Sequence, residues 1–140
     1  EQDYEKAREW YTKAANQGYA KAQFSLGFIY ESGKGVEQDY EKAREWYTKA
    51  ANQGYAKAQF SLGFIYESGK GVEQDYEKAR EWYTKAANQG YAKAQFSLGF
   101  IYESGKGVEQ DYEKAREWYT KAANQGFTIS QDNLKAIQDK

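Results

Sequence analysis

Residues Glu37–Val72 read EQDYEKAREWYTKAANQGYAKAQFSLGFIYESGKGV, and this stretch decides the fold because the chain is built from copies of it. The same letters occupy Glu1–Val36 and Glu73–Val108, and a further copy starts at Glu109 and departs from the pattern at Phe127. A fixed period of roughly 20–50 residues marks a solenoid, in which no unit can bury its own apolar face and each must stack on a neighbour. The period here is 36 residues. A single repeat domain over residues 1–140 is therefore expected, with repeats 1–36, 37–72 and 73–108, a partial repeat 109–126 and a C-terminal capping helix within 127–140. Function should lie on the stacked surface rather than in one cleft. Because drift in an old array leaves mismatches, copies this perfect point to a very recent duplication or a consensus design.

Within the quoted stretch, Tyr40, Ala43, Trp46, Tyr47, Ala50 and Ala51 recur at helical spacing, while Glu41, Lys42, Arg44, Glu45 and Lys49 fill the opposite arc. This predicts an amphipathic helix over 40–53, here called B-type. Asp39 suits the N-cap, Glu41 the positive helix start, Glu45 and Lys49 an i,i+4 ion pair, and Gly54 the left-handed residue after the helix. From Tyr55 to Ser68, Ala58, Leu62, Ile65 and Tyr66 share one side and Gly69 ends the run, which predicts a second, A-type helix. Gly69-Lys70-Gly71 is loop material, and Val72 is placed to pack as an apolar hinge before the next N-cap, Asp75. The fold class is all-α, with helices in the order B-A-B-A-B-A-B followed by a short terminal helix.

The two ends break the pattern. The first B-type helix, Tyr4–Gln17, has no A-type partner ahead of it, so it offers Tyr4, Trp10 and Tyr11 to a neighbour and end-to-end self-association through this helix is expected. At the other end, Ser130 is the expected N-cap of a helix to about Asp139, with Ile129, Leu134 and Ile137 toward the preceding repeat and Lys135 and Gln138 toward water. A polar cap is the plain reading of this tail; docking in another chain's groove is the alternative.

Composition excludes several function classes. Lys and Arg total 20 against 21 Asp and Glu, with opposite signs interspersed in every repeat, so nothing electrostatic draws the chain to nucleic acid or an anionic membrane. No apolar run is long enough for a transmembrane helix, and no charged-then-apolar leader opens the sequence. Cysteine and histidine are absent, which removes disulfides, the best transition-metal ligands and the Ser-His and Cys-His catalytic pairs. No enzyme activity, cofactor or metal is expected. Ser32-Gly33-Lys34-Gly35 lacks the spacing of a phosphate-binding loop and reads as a helix terminator. Glu1, Asp3 and Glu5 sit at a solvated helix start and read as capping and solubility groups.

The run AKAQFSLGFIYESGKGVEQDYEKAREWYTKAANQG resembles the Sel1-like repeat, a relative of the tetratricopeptide repeat. The resemblance is carried by Leu26, Gly27, Tyr30, Gly33, Gly35, Val36, Asp39, Lys42, Ala43, Trp46, Tyr47, Lys49, Ala50, Ala51, Gln53 and Gly54, and extends over residues 1–126. It implies a right-handed superhelix of αα-hairpins whose A helices line a concave face, and a role as a protein-interaction scaffold or adaptor. Some secreted members of the family carry disulfides between paired helices, which this chain cannot form.

The candidate partner site follows from helical phase. Trp46, Tyr47 and Tyr66 sit on apolar arcs and match core positions of the family, whereas Phe60 and Phe64 lie on the side carrying Lys57 and Glu67, which the resemblance makes the concave groove. The same places hold Lys21, Phe24, Phe28 and Glu31 in the first repeat and Lys93, Phe96, Phe100 and Glu103 in the third. Two readings stand: adjacent repeats half-bury these rings against one another, or the rings form an apolar strip open to a ligand. On the second reading the partner is a peptide or protein segment held in the groove, with the Phe ladder as anchor and the Lys and Glu margins setting orientation. The rival to an interaction module is a ligand-free structural or self-assembling scaffold, since natural binding faces diversify between repeats and this one does not.

Overall fold

The computed structural model describes residues 3–138, and all the regular structure among them is helical. B-type helices are α1 (Tyr4–Asn16), α3 (Tyr40–Asn52), α5 (Tyr76–Asn88) and α7 (Tyr112–Asn124); A-type helices are α2 (Ala20–Ser32), α4 (Ala56–Ser68) and α6 (Ala92–Ser104); α8 (Thr128–Ala136) is last. Each B-type helix starts where its aspartate accepts a hydrogen bond from the third helical N–H, as Asp39 does from Lys42 at 3.0 Å. A-type helices have no side-chain cap at their start, and end on a glycine in the left-handed region, Gly69 at φ 76°. Helices adjacent in sequence are adjacent in space, α2 with α3, α4 with α5 and α6 with α7 most extensively.

The core lies between helices, in linked apolar clusters that repeat along the stack. In the middle repeat Ala43, Tyr47, Ala50 and Ala51 of α3 and Ala58, Leu62 and Ile65 of α4 are buried, and Trp82 and Val72 cover their margin. The alanines let the helix axes approach, and the buried Tyr, Leu and Ile side chains supply the larger hydrophobic gain, about 1.5–3 kcal/mol for each large aliphatic side chain. Gly63 shows how close the fit is. It sits mid-helix in α4, where glycine costs about 1 kcal/mol relative to alanine, yet a Cβ there would lie 2.5 Å from the Tyr83 ring. Gly27 and Gly99 meet Tyr47 and Tyr119 in the same way.

A polar ladder fixes the register of the stack. Gln59 is buried; its Nε2 donates to the Ala51 carbonyl at 3.2 Å and its Oε1 accepts from Gln89 of the next B-type helix at 2.9 Å. Gln89 Nε2 also donates to the Gly54 carbonyl at 2.8 Å. Gln23 with Gln53 and Gln95 with Gln125 repeat the arrangement. A buried amide that lost its partners would carry the full desolvation cost, so only one stagger of neighbouring repeats satisfies the set.

The helix order and the aspartate caps are those the sequence predicts; the corrections concern single residues. Arg44 and Arg80, placed by phase on the solvated arc, are half-buried with Nε shielded from water. In the tail, α8 begins at Thr128 with Phe127 at the N-cap position, so Ser130 is not the cap but a fully buried residue of the first turn. The earlier start puts α8 in the register of the A-type helices, with Ser130, Leu134 and Ile137 standing where Ala94, Leu98 and Ile101 stand in α6. Leu134 and Ile137 do face the preceding repeat, and Lys135 and Gln138 are exposed. Ile129 does not: it takes the place of Lys93 and is 56 % exposed. Asp3 caps α1 as its copies cap theirs, through the Lys6 N–H at 3.1 Å. The expectations for Glu1 and for a helix reaching Asp139 fall outside the described residues.

Candidate functional site

The A-type helices bring the predicted Phe residues together on one side of the stack. A hollow of about 310 Å³ lies between α4 and α6, lined by Phe60, Phe64, Glu67, Lys93, Phe96 and Phe100 together with Tyr83, Ser97 and Phe127. Its neighbour, of about 240 Å³, is lined by Phe24, Phe28, Glu31, Lys57, Phe60 and Phe64, with Tyr47, Ser61, Tyr91 and Lys93 completing it. Lys21 and Glu103 line neither hollow.

The two phenylalanines of each repeat differ in setting, one packed against tyrosine rings and the other exposed. Phe60 is half-buried, its ring 5.5 Å from those of Tyr83 and Tyr91 at tilted angles that suit aromatic quadrupoles. Phe24 and Phe96 do the same against Tyr47 and Tyr55 and against Tyr119 and Phe127. These rings form the floor. Phe28, Phe64 and Phe100 are 47 %, 41 % and 40 % exposed and form the open strip.

The cations over the strip come from a place the sequence reading passed over. Lys70 of the Gly-Lys-Gly loop holds its Nζ 5.0 Å from the centre of the Phe64 ring, and Lys34 and Lys106 stand at 5.7 and 5.4 Å from Phe28 and Phe100. At such distances an ammonium is drawn to the ring face. The loop is held in place by its second glycine: Gly71 has φ +71° and lies against Tyr40, where a Cβ would come within 2.5 Å of that residue's own Cβ. Sequence alone shows a terminator; the cationic role needs the loop's return path across the end of the A-type helix.

The glutamates are committed to the scaffold as well as to the margin. Glu31, Glu67 and Glu103 accept hydrogen bonds from the hydroxyls of Tyr47, Tyr83 and Tyr119 at 2.6, 2.6 and 2.7 Å. Burial, with the adjacent carboxylate adding to it, holds all three tyrosines protonated well above the ordinary tyrosine range. Tyr91 is raised too, by burial and by Tyr55 beside it. Tyr83 and Tyr47 thus each line a hollow as a neutral donor, and with part of each carboxylate already engaged, the free charge at the rim is chiefly that of the lysines. No set of side chains among the described residues is arranged to hold a metal ion, and no helix there is long and apolar enough to cross a membrane.

Repeat length, paired helices and the tyrosine-accepting glycines define a tetratricopeptide-like helical solenoid. The Sel1 repeat pattern matches residues 1–19, 20–55, 56–91 and 92–127, and the chain belongs to the Sel1 repeat family. Among solved structures it is similar to c5321, a protective antigen of uropathogenic Escherichia coli strains, at 42% identity and a TM-score of 0.89, over 93% of this chain and 28% of that one. The Sel1 repeat protein of Oxalobacter formigenes is similar at 36% identity and TM-score 0.89, over 94% and 54%. Helicobacter pylori cysteine rich protein B is similar at 30% identity and TM-score 0.70, over 87% and 93%. A shorter match, 51% identical over 37 residues, is to the chitin synthase regulator SKT5 of Saccharomyces cerevisiae, covering 26% of this chain and 5% of that protein. The chain thus spans a small part of SKT5, about a quarter of c5321 and about half of the Oxalobacter protein. Sel1 repeats form a non-enzymatic scaffold family whose members bind protein partners.

Proposed function

We propose that this chain is a protein-interaction module without enzymatic activity, and that its binding face is the strip of Phe28, Phe64 and Phe100 over the hollows between successive A-type helices. The observation that carries this reading is the hollow between α4 and α6, an apolar floor of Phe60 and Phe96 with two exposed rings above it and lysines at its rim. A ligand suited to it is a short helix or extended segment that inserts one apolar side chain per repeat and offers carboxylates to Lys57, Lys70, Lys93 and Lys106. Identical repeats offer no preferred register, so binding is modest in strength and tolerant of sequence. The same identity favours a second reading of origin, an engineered or consensus scaffold that keeps this generic binding capacity.

The test is a calorimetric titration of a panel of acidic amphipathic peptides on the parent and on a variant with Phe64→Ser and Phe100→Ser. Both rings are exposed, so the variant keeps its fold, which circular dichroism verifies. At least about tenfold weaker binding by the variant is expected. Equal affinity of the two proteins for every peptide that binds would refute the groove.

A further inference from the structure

The hollows between α2 and α4 and between α4 and α6 share a wall. Phe60, Phe64 and Lys93 line both, Phe28 belonging to the α2–α4 hollow and Phe100 to the α4–α6 hollow. The step from one to the next is short, since Tyr91 and Lys93 of the third repeat reach the α2–α4 hollow as well, and Tyr55 stands beside Tyr91, its own copy. Neighbouring packed helices lie about 8–10 Å apart, so equivalent points on the strip recur at about 10 Å.

The lysines stand in two rows across this strip. Lys57 and Lys93 are the second residues of α4 and α6, whereas Lys70 and Lys106 follow the ends of those helices and lean back over Phe64 and Phe100. From Lys57 to Ser68 the helix rises about 16 Å, and the strip runs between the rows. Glu31, Glu67 and Glu103 are engaged by tyrosine hydroxyls, so charge complementarity asks for carboxylates on both flanks of a ligand.

We propose, resting on the groove reading above, that the occupant of the strip is an acidic α-helix of a protein partner, laid along the stack with apolar residues about seven apart seated in successive hollows. In an α-helix seven residues rise about 10.5 Å and complete almost two turns, so the side chain returns to the same face one step along. A β-strand returns to one face at about 6.6 and 13 Å, and neither matches the step. A polyproline helix comes near in rise, about 9.3 Å for three residues, but an α-helix about 10–12 Å across also brings its flanks to both lysine rows. Because the two hollows are walled by copies of the same phenylalanines, each anchor fits either one, and a partner with two anchors gains by holding both.

The experiment titrates the full chain calorimetrically with four acidic peptides: α-helical ones with a single leucine, with leucines seven apart and with leucines five apart, and a polyproline peptide with leucines three apart. A spacing of five turns the second leucine about 140° from the first. The seven-spaced helix should bind at least about tenfold tighter than the other three. Phe28→Ser and Phe100→Ser each alter one hollow of the pair at an exposed ring, and circular dichroism checks the fold. Either substitution should remove the advantage while changing single-leucine binding by less than about twofold. Equal binding of the seven- and five-spaced helices overturns the proposal, as does tighter binding of the polyproline peptide or an advantage that survives both substitutions. The groove itself stands in those cases if the variant with Phe64→Ser and Phe100→Ser loses the single-leucine peptide. No binding by any peptide at millimolar concentration overturns both.

Discussion

Helices α1 and α5 are the same thirteen residues in two settings. In α5, Tyr83 lies against Gly63 and bonds Glu67, Trp82 covers a core cluster, and Ala79 and Ala86 are fully buried. In α1 the corresponding Tyr11 and Trp10 are exposed and only Ala15 is buried. Nothing local differs: both have an aspartate cap, an acidic first turn and a basic last turn. Burial in this molecule is thus a property of the neighbour and not of the segment, as stacking between repeats requires.

The largest expected contrast is between Tyr83→Ala and Tyr11→Ala. Loss of the buried ring and its hydrogen bond to Glu67 should cost about 3–5 kcal/mol, whereas the α1 substitution should stay within about 1 kcal/mol, both read by urea denaturation. Similar values for the two would break the comparison. Alkaline titration sharpens it. Tyr47, Tyr83 and Tyr119 keep their protons in the folded chain above the ordinary tyrosine range, while the unfolded chain releases them near about pH 10. The stability they contribute is therefore full below that pH and is lost as pH rises through the folded values. A melting temperature that stays flat from neutral pH to strong alkali would count against the buried, hydrogen-bonded hydroxyls.

Gly63→Ala tests the same contact from the other helix. Because the added Cβ would meet the Tyr83 ring, the substitution should destabilise by about 1–3 kcal/mol although alanine is the better helix former. A stabilised variant would mean that the helices separate freely. Smallest is the cap: Asp3→Ala and Asp75→Ala should each cost about 1 kcal/mol, because each removes one local hydrogen bond to the third helical N–H. A large difference between those two would show that even capping depends on position in the stack.

What was legible in the sequence follows the reach of each interaction. The helices, their caps and the glycine stops depend on neighbours within one turn, and the phase of Phe60 and Phe64 against Leu62 and Ile65 was enough to place an aromatic strip. The bond from Tyr83 to Glu67 spans 16 residues, the Gln59–Gln89 contact spans 30, and the Gln89 bond to Gly54 spans 35. Those contacts exist only once repeats are stacked, so neither the engaged glutamates nor the register ladder could be read from periodicity. Lys70 was missed for the same reason, since a loop residue has no phase to reveal that it folds over Phe64. The α8 error had another cause: Ser130 is a good cap by residue type, but Phe127, in the place of Tyr91, set the register instead.

A crystal structure of the chain with an acidic amphipathic peptide bound is the most direct test of the groove. The expected result is peptide lying between α4 and α6, an apolar side chain seated between Phe64 and Phe100, and carboxylates within reach of Lys70 or Lys106. Peptide seated away from the A-type helices, with the Phe strip left open to solvent, would contradict it.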